Sequence, residues 1–321
     1  MSDLTNTLED DTRMASFGDY VQLMKPRVMM LVVFTAFAGL IAAPGSMNWV
    51  TAASAVLAVA LASGAAGALN MWYDHDIDAV MKRTMVRPVP AGLIPRDEAL
   101  GLGLIMSAVS VTIMALASNP LAAGLLAFSI FFYAVVYTIW LKRSTSQNIV
   151  IGGAAGAFPP MIGWAAATGD APLNAWLLFA IIFFWTPPHF WALSLWTSKE
   201  YGKAGVPMLP VTHGAKHTRL QILLYSILLL PLGMVPVATG LGGYAYLVAA
   251  FGLGVWFLWA AIRVFMSKAG DDSEIGENDL PHAKRLFGIS IVYLFALFGV
   301  LAIEQGLGLY FATPFVWGGL S

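Results

Sequence analysis

Residues 49–78 read WVTAASAVLAVALASGAAGALNMWYDHDID, an apolar run that ends in a cluster of polar side chains. A membrane-spanning helix needs about 20 mostly apolar residues, and the first part of this stretch has that length. Its polar end places Asn70, Asp74 and Asp78 four residues apart, so a helix would align them along one face. The stretch therefore predicts a transmembrane helix with an oxygen-rich stripe at one end.

The composition of the whole chain is that of a membrane protein. Hydrophobic residues make up 59% of the 321 residues and charged residues only 11%, and the mean hydropathy is +0.74. A soluble domain carries roughly 25% charged residues. The absence of Cys excludes disulfides, a thiolate nucleophile and a Cys-ligated metal. The net charge of −1 gives no reason to expect nucleic acid as a partner; membrane lipid is the expected surrounding.

Hydropathy along the chain predicts an all-α, polytopic membrane protein with nine transmembrane helices. Two connections, after the second and the sixth span, are long and are therefore the expected functional segments. The expected spans lie near residues 28–46, 49–70, 99–117, 121–140, 149–168, 174–196, 220–240, 243–265 and 287–306. The fifth span is the weakest, because Pro159-Pro160 interrupts it. Gly152 and Gly156 in the same span predict close helix packing.

All 17 Lys and Arg residues fall on one side of this arrangement. They occupy the N-terminal segment and the connections that follow the second, fourth, sixth and eighth spans. The positive-inside rule predicts a cytoplasmic N-terminus and a C-terminus outside. The expected location is the inner (plasma) membrane of the cell. We expect residues 1–24 to form a cytoplasmic segment, residues 25–306 the nine-helix domain and residues 307–321 an extracytoplasmic tail.

The acid stripe is the strongest candidate for chemistry. Asn70, Asp74 and Asp78 offer only oxygen ligands, which favour Mg²⁺ or Ca²⁺. Mg²⁺ commonly takes one or two carboxylates and completes its shell with water and substrate phosphates. The basic residues that follow suit the oxygens of a metal-bound diphosphate; they are Lys82, Arg83, Arg87 and, further on, Arg96. The alternative is that the acids end a helix at the membrane surface and pair with neighbouring bases.

Two further charged groups are weaker candidates for the same site. Glu200, the only acid in the connection after the sixth span, would complete a metal site with the stripe, or it is a solvated loop carboxylate. Lys142 and Arg143 at the end of the fourth span, together with Lys199 beside Glu200, are candidate diphosphate ligands. For Lys142 and Arg143 the alternative is that they only anchor their loop at the membrane surface.

His189 lies inside the sixth span, about two turns from its cytoplasmic end, and directly follows Pro187-Pro188. Polar groups at that depth are costly and often functional. Backbone groups freed by the proline pair tend to line cavities rather than face lipid. We therefore expect His189 to contact substrate; the alternative is that its imidazole satisfies a freed carbonyl group.

The string Asn70-x-x-x-Asp74-x-x-x-Asp78-x-x-Met81-x-Arg83-Thr84-x-x-Arg87-Pro88 resembles the first signature of the UbiA-type intramembrane prenyltransferases. Other strings between residues 25 and 304 agree: Lys25-Pro26-Arg27, Tyr137-Thr138, Pro188-His189-Phe190 and Ala204-Gly205-Val206-Pro207-Met208-Leu209-Pro210. Lys199-Glu200-Tyr201 stands where many members carry a second Asp-x-x-x-Asp-like motif. That departure favours the haem-modifying branch of the family.

The resemblance implies nine helices around a central cavity, Mg²⁺ as cofactor, farnesyl diphosphate as donor and haem B as acceptor. The farnesyl group would pass to a haem vinyl group with addition of water, giving haem O and diphosphate in the biosynthesis of haem for terminal oxidases. Asp74, Asp78 and Arg83 would be catalytic, Glu200 would join the metal ligands and His189 would bind the haem. A downstream haem-modifying enzyme is a candidate partner.

Three alternatives remain at this stage. The nearest is the same prenyl transfer to a different acceptor. A transporter is a second, although transporters place their polar sites near the bilayer midplane on broken helices, whereas this stripe lies at a helix end. A scaffold is a third, and it would not need aligned acids.

Overall fold

The computed structural model describes residues 15–271 and 278–309, and within these ranges the chain forms helices and no β-strand. Residues Phe132–Leu141 continue α6 as a π-helix. The α-helices are α1 (Phe17–Leu23), α2 (Pro26–Ala42), α3 (Trp49–Tyr73), α4 (His75–Val80), α5 (Arg96–Ala117), α6 (Pro120–Phe131), α7 (Asn148–Thr168), α8 (Leu173–Lys203), α9 (Leu209–Thr212), α10 (Gly214–Ala238), α11 (Tyr244–Met266) and α12 (Leu280–Gly306).

The predicted polytopic architecture is confirmed. In the described part of the chain, eight helices are long and apolar enough to cross a membrane, and α1 with α2 make a ninth when counted as one span bent by 55°. The eight are α3, α5, α6 with its π-helical continuation, α7, α8, α10, α11 and α12. Asparagine caps begin two of them: Asn48 Oδ1 accepts a hydrogen bond from Val50 N (2.8 Å) at α3, and Asn119 Oδ1 accepts one from Ala122 N (3.0 Å) at α6.

The spans form a closed ring. Each spanning helix packs against the next along the chain, and α12 packs against α2. The most extensive contacts across the ring join α2 to α7 and α8 to α12, and α7 and α8 are the most buried spans. This arrangement brings the ends of α3, α6 and α8 into the neighbourhood of the acid stripe.

Glycines allow the helices to approach closely. A Cβ on Gly39 of α2 would lie 2.0 Å from the Pro160 carbonyl oxygen, and a Cβ on Gly163 of α7 would lie 1.9 Å from the Ala36 carbonyl oxygen. Only glycine fits at such contacts in a membrane. The prediction for Gly152 is confirmed, because a Cβ there would meet the ring of Tyr137 at 2.2 Å.

The prediction for Gly156 is wrong, since no heavy atom lies within 4 Å of the position that its Cβ would take.

The predicted interruption of the fifth span is also wrong: α7 runs unbroken through Pro159-Pro160, and α8 runs unbroken through Pro187-Pro188. Neighbouring helices and local adjustments re-satisfy backbone groups next to intramembrane prolines. The α8 helix also extends to Lys203, so Glu200 lies on a helix rather than in a loop.

Candidate active site

The predicted acid stripe exists and is buried. Asn70, Asp74 and Asp78 are 4%, 0% and 2% exposed. The chain turns at Asp74, between α3 and α4, yet the hydrogen-bond register of an α-helix continues: Asp74 N donates to Asn70 O (2.9 Å) and Asp78 N to Asp74 O (2.8 Å). The interval of four residues therefore places the three side chains along one face, as the spacing predicts.

Basic residues from two loops neutralise the two carboxylates. Arg87 Nη1 lies 2.6 Å from Asp78 Oδ2, and Lys142 Nζ donates to Asp74 Oδ2. Arg143 Nη2 lies 3.7 Å from the other oxygen of Asp74. Buried carboxylates persist only when they are paired and hydrogen-bonded. The structure thus joins the predicted stripe to three of the predicted diphosphate ligands.

Arg143 has a second partner that the sequence analysis did not identify. Its Nη1 and Nη2 donate to the two carboxylate oxygens of Asp76 at 2.8 and 2.7 Å, and Nη2 also donates to Tyr73 O at 3.2 Å. The guanidinium lies over the Tyr73 ring, 4.8 Å from its centroid. The hydrogen bonds from Arg143 hold the pKa of Asp76 well below its usual range. Asp76 thus fixes the position of Arg143 beside Asp74.

Asn70 connects three separate parts of the chain. Its Nδ2 donates to Asp74 Oδ2 (2.7 Å) and to Thr138 Oγ1 (3.0 Å), and its Oδ1 accepts a hydrogen bond from Lys25 Nζ. Because an ammonium only donates and a carboxylate only accepts, one orientation of the amide satisfies these contacts. The π-helix places Thr138: its hydroxyl donates to Tyr133 O, five residues earlier, at 2.9 Å. π-helical turns occur frequently at functional sites.

Lys82 and Arg83 lie on the exposed turns after α4. The acids of the stripe are paired with Arg87 and Lys142 instead. The structure therefore does not pair Lys82 or Arg83 with the acids of the stripe, although both lie on the same loop as Arg87.

Glu200 is half-buried near the end of α8, and its Oε2 is enclosed without a hydrogen-bond partner among the described residues. Lys199 beside it is exposed. An open cavity of about 290 Å³ lies where this end of α8 approaches α4; it is lined by Asp76, Ile77, Val80, Arg143, Lys203, Ala204 and Gly205. Within the same described ranges, no three acidic or histidine side chains converge on one metal position. Glu200 is thus near the site, but it is not joined to Asp74 and Asp78.

The residues of the stripe fit a hard cation. Every ligand atom they offer is oxygen, and Asp74 Oδ1 is buried without a hydrogen-bond partner in the described part of the chain. Arg143 at 3.7 Å is the ion-pair partner of that oxygen. Two buried carboxylates, one of them with an oxygen that accepts no hydrogen bond, are the donor set that Mg²⁺ takes in proteins together with phosphate oxygens.

His189 lies in a separate buried position between α8 and α12, about four helical turns before α8 ends. The sequence-based distance of two turns was too short because α8 is longer than expected. The imidazole stacks between Trp185 (4.3 Å between ring centroids) and Phe287 (4.4 Å), and its Nδ1 lies 2.6 Å from Ser290 Oγ. It therefore does not satisfy a backbone carbonyl freed by the prolines.

Comparison with known proteins agrees with the fold. The chain matches the UbiA prenyltransferase family over residues 31–276. It is 64% identical over 303 residues to a protein of Hyphomonas neptunium and 58% identical over 318 residues to one of Caulobacter vibrioides, both named protoheme IX farnesyltransferase. These matches cover 93% and 95% of this chain and 95% and 96% of the relatives.

Solved structures show the same fold. A digeranylgeranylglyceryl phosphate synthase structure superposes with a TM-score of 0.72 at 16% identity, covering 90% of this chain and 98% of the other. A UbiA homologue from Archaeoglobus fulgidus, solved with DMAPP and Mg²⁺, superposes with a TM-score of 0.66 at 17% identity, covering 88% and 99%. Fold, acid stripe and sequence matches lead to one conclusion: this chain belongs to the UbiA prenyltransferase family.

Proposed function

We propose that this chain transfers the farnesyl group of farnesyl diphosphate to a vinyl group of haem B, with addition of water, and so forms haem O and diphosphate. The observation that carries the proposal is the buried stripe of Asn70, Asp74 and Asp78, ringed by basic side chains, in a chain whose near full-length relatives bear the name of that activity. Neither a transporter nor a scaffold requires this arrangement.

The stripe and its basic partners form the diphosphate site. Asp74 and Asp78 would hold Mg²⁺, with Asn70 and Glu200 as further oxygen ligands. Bound there, Mg²⁺ supplies Lewis-acid polarisation of the diphosphate oxygens. Arg87, Lys142 and Arg143, which pair with these carboxylates, would contact the diphosphate oxygens. The exposed residues Lys82, Arg83 and Lys199 would contribute further positive charge to the same site.

The basic side chains act on the leaving group. As the bond between farnesyl C1 and oxygen breaks, negative charge builds up on the diphosphate, and guanidinium and ammonium groups already in place stabilise that charge. The vinyl terminal carbon then bonds to farnesyl C1, and water adds to the neighbouring vinyl carbon and loses a proton. The overall reaction converts farnesyl diphosphate, haem B and water into haem O, diphosphate and a proton.

His189 is the proposed haem contact. Ser290 Oγ donates to Phe287 O at 2.6 Å, so its oxygen is left to accept from His189 Nδ1. That places the ring proton on Nδ1 and leaves a lone pair on Nε2, which is the atom that a haem iron would bind. Trp185 and Phe287 hold the ring plane on both faces.

The proposed orientation follows from charge. Lys25, Lys142 and Arg143 meet at one end of the ring of helices through their contacts with Asn70, Asp74 and Asp76. By the positive-inside rule this end faces the cytoplasm of a cell with an inner membrane, and the C-terminus lies outside. The end of the proposed cytoplasmic segment, residue 24, coincides with the bend between α1 and α2.

An assay with the purified protein tests the proposal. The protein is incubated with haem B, farnesyl diphosphate and Mg²⁺, and the pigment is analysed by mass spectrometry. We expect haem O in the complete mixture and none when Mg²⁺ is replaced by a chelator. Consumption of farnesyl diphosphate with a quinone precursor but not with haem B would contradict the proposed acceptor while leaving prenyl transfer in place.

A further inference from the structure

Lys25 has an unusual backbone conformation. It is the one residue other than glycine with positive φ in the described ranges, at φ 55° and ψ 60°. Lys25 also precedes Pro26, and a residue before proline normally has an extended backbone, so the left-handed conformation is unusual for a second reason. Left-handed conformations of non-glycine residues are strained and occur where the surrounding structure or the function requires them.

The strained backbone directs the side chain into the acid stripe. Lys25 lies at the 55° bend between α1 and α2, and its ammonium donates to Oδ1 of Asn70, 45 residues further along the chain. Asn70 in turn donates from Nδ2 to Asp74 Oδ2 (2.7 Å), so Lys25 is linked to the stripe carboxylate through one amide. An ammonium in this position therefore belongs to the site.

The hydrogen bond from Lys25 occupies Asn70 Oδ1, the atom that a metal ion would need. Asn70 can bind a cation only through Oδ1, since its Nδ2 is a donor and is held by Asp74 and Thr138. An ammonium and a divalent cation at one oxygen repel each other strongly, because both are poorly screened when buried. Lys25 at Asn70 therefore weakens metal binding there, and a bound metal ion weakens the Lys25 contact.

The geometry points to Lys25 as an exchangeable cation of the active site: it holds Asn70 Oδ1 until diphosphate arrives with Mg²⁺ and then moves to the diphosphate oxygens. This inference rests on the proposed function and adds to it that the two ligands depend on each other for binding. The metal binds weakly while Lys25 occupies Asn70, and diphosphate, by attracting the ammonium, makes the oxygen available. Metal and diphosphate then bind together rather than separately.

Opposite effects on two ligands test the inference. Mn²⁺, a divalent cation that also favours oxygen ligands, is titrated by electron paramagnetic resonance into detergent-purified protein without substrate. Binding of labelled farnesyl diphosphate is measured separately at saturating Mg²⁺. In Lys25→Met we expect Mn²⁺ to bind roughly tenfold more tightly and farnesyl diphosphate to bind several-fold more weakly. Arg27→Met, which removes an exposed basic residue two positions along, serves as the matched control and changes neither affinity.

A second variant separates charge from backbone strain. Lys25→Gly also removes the ammonium but tolerates positive φ, so it tightens Mn²⁺ binding as Lys25→Met does and has the higher melting temperature of the two. Unchanged or weaker Mn²⁺ binding in both variants would overturn the role of Lys25 and leave the proposed function intact. Absence of Mn²⁺ binding to the wild type, even with farnesyl diphosphate present, would overturn both.

Discussion

At the scale of single residues, the site depends on charges that are buried and matched. Asp74 and Asp78 carry their charges inside the protein only because Lys142, Arg143 and Arg87 reach them. Local spacing predicts the acids, since an interval of four residues is visible in the sequence. It does not predict Asp76, which lies off the stripe, or Lys25 and Thr138, which reach Asn70 across 45 and 68 residues.

Replacing the acids by their amides is expected to remove activity and keep the fold. In Asp74→Asn or Asp78→Asn the side chain keeps its shape and an acceptor oxygen but loses the charge that holds a cation. Turnover should fall by roughly a hundredfold or more, while the protein stays folded with a melting temperature lowered by the loss of one charge of a buried ion pair. Asp97→Asn, at an exposed position of α5, is the control. Near-normal turnover of either variant at saturating Mg²⁺ would refute the metal assignment.

The arginines that follow the stripe are expected to bind farnesyl diphosphate rather than haem. Arg87→Ala removes the partner of Asp78 and should raise the KM for farnesyl diphosphate about tenfold or more. Arg83→Ala, at an exposed position, should raise it less. Haem affinity, followed by optical titration, should stay constant in both. Equal losses of haem and farnesyl diphosphate affinity would indicate that these arginines bind the haem propionates.

His189 has a spectroscopic test. If Nε2 ligates the iron, His189→Ala shifts the Soret band of bound haem, and His189→Phe, which preserves the stacking with Trp185 and Phe287, shifts it as well. If the ring only contacts the porphyrin edge, the band stays and haem affinity falls. A variant with unchanged spectrum and unchanged haem affinity, but a lower melting temperature, would show that His189 is structural.

At the scale of helices, hydropathy predicts the number of spans because each span satisfies its own backbone hydrogen bonds inside the bilayer. The details that position the site have a different origin. The π-helix at Phe132–Leu141, the unbroken course of α7 and α8 through their prolines, and the end of α8 at Lys203 all depend on packing against neighbouring helices. A single-sequence pattern does not contain that information.

The crossing of α2 and α7 provides a stability test at this scale. Gly163→Ala would place a methyl group 1.9 Å from the Ala36 carbonyl oxygen, so the helices must separate. We expect a loss of roughly 1–3 kcal/mol, measured as a lower melting temperature in detergent. Gly156→Ala is the matched control on the same helix: its Cβ position is open, and the higher helix propensity of Ala makes that variant neutral or more stable. Equal melting temperatures of the two variants would contradict the close crossing.

At the scale of the whole molecule, the one-sided distribution of Lys and Arg predicts the topology. Reporter fusions placed before α1 and after residue 310 should report opposite sides of the membrane, with the N-terminal fusion in the cytoplasm. The residues after Leu309 lie outside the described part of the chain, so the fusion tests their side directly. A cytoplasmic C-terminal fusion would mean an even number of spans.

The proposed reaction combines a metal-diphosphate site at one end of the helix ring with a haem acceptor to which water is added. The most direct measurement is the mass of the pigment formed from haem B, farnesyl diphosphate and Mg²⁺ in water labelled with heavy oxygen. We expect a product heavier than haem B by one farnesyl group and one labelled hydroxyl group, and we expect Asp74→Asn not to form it. A farnesylated haem without the label, or full product formation by Asp74→Asn, would contradict it.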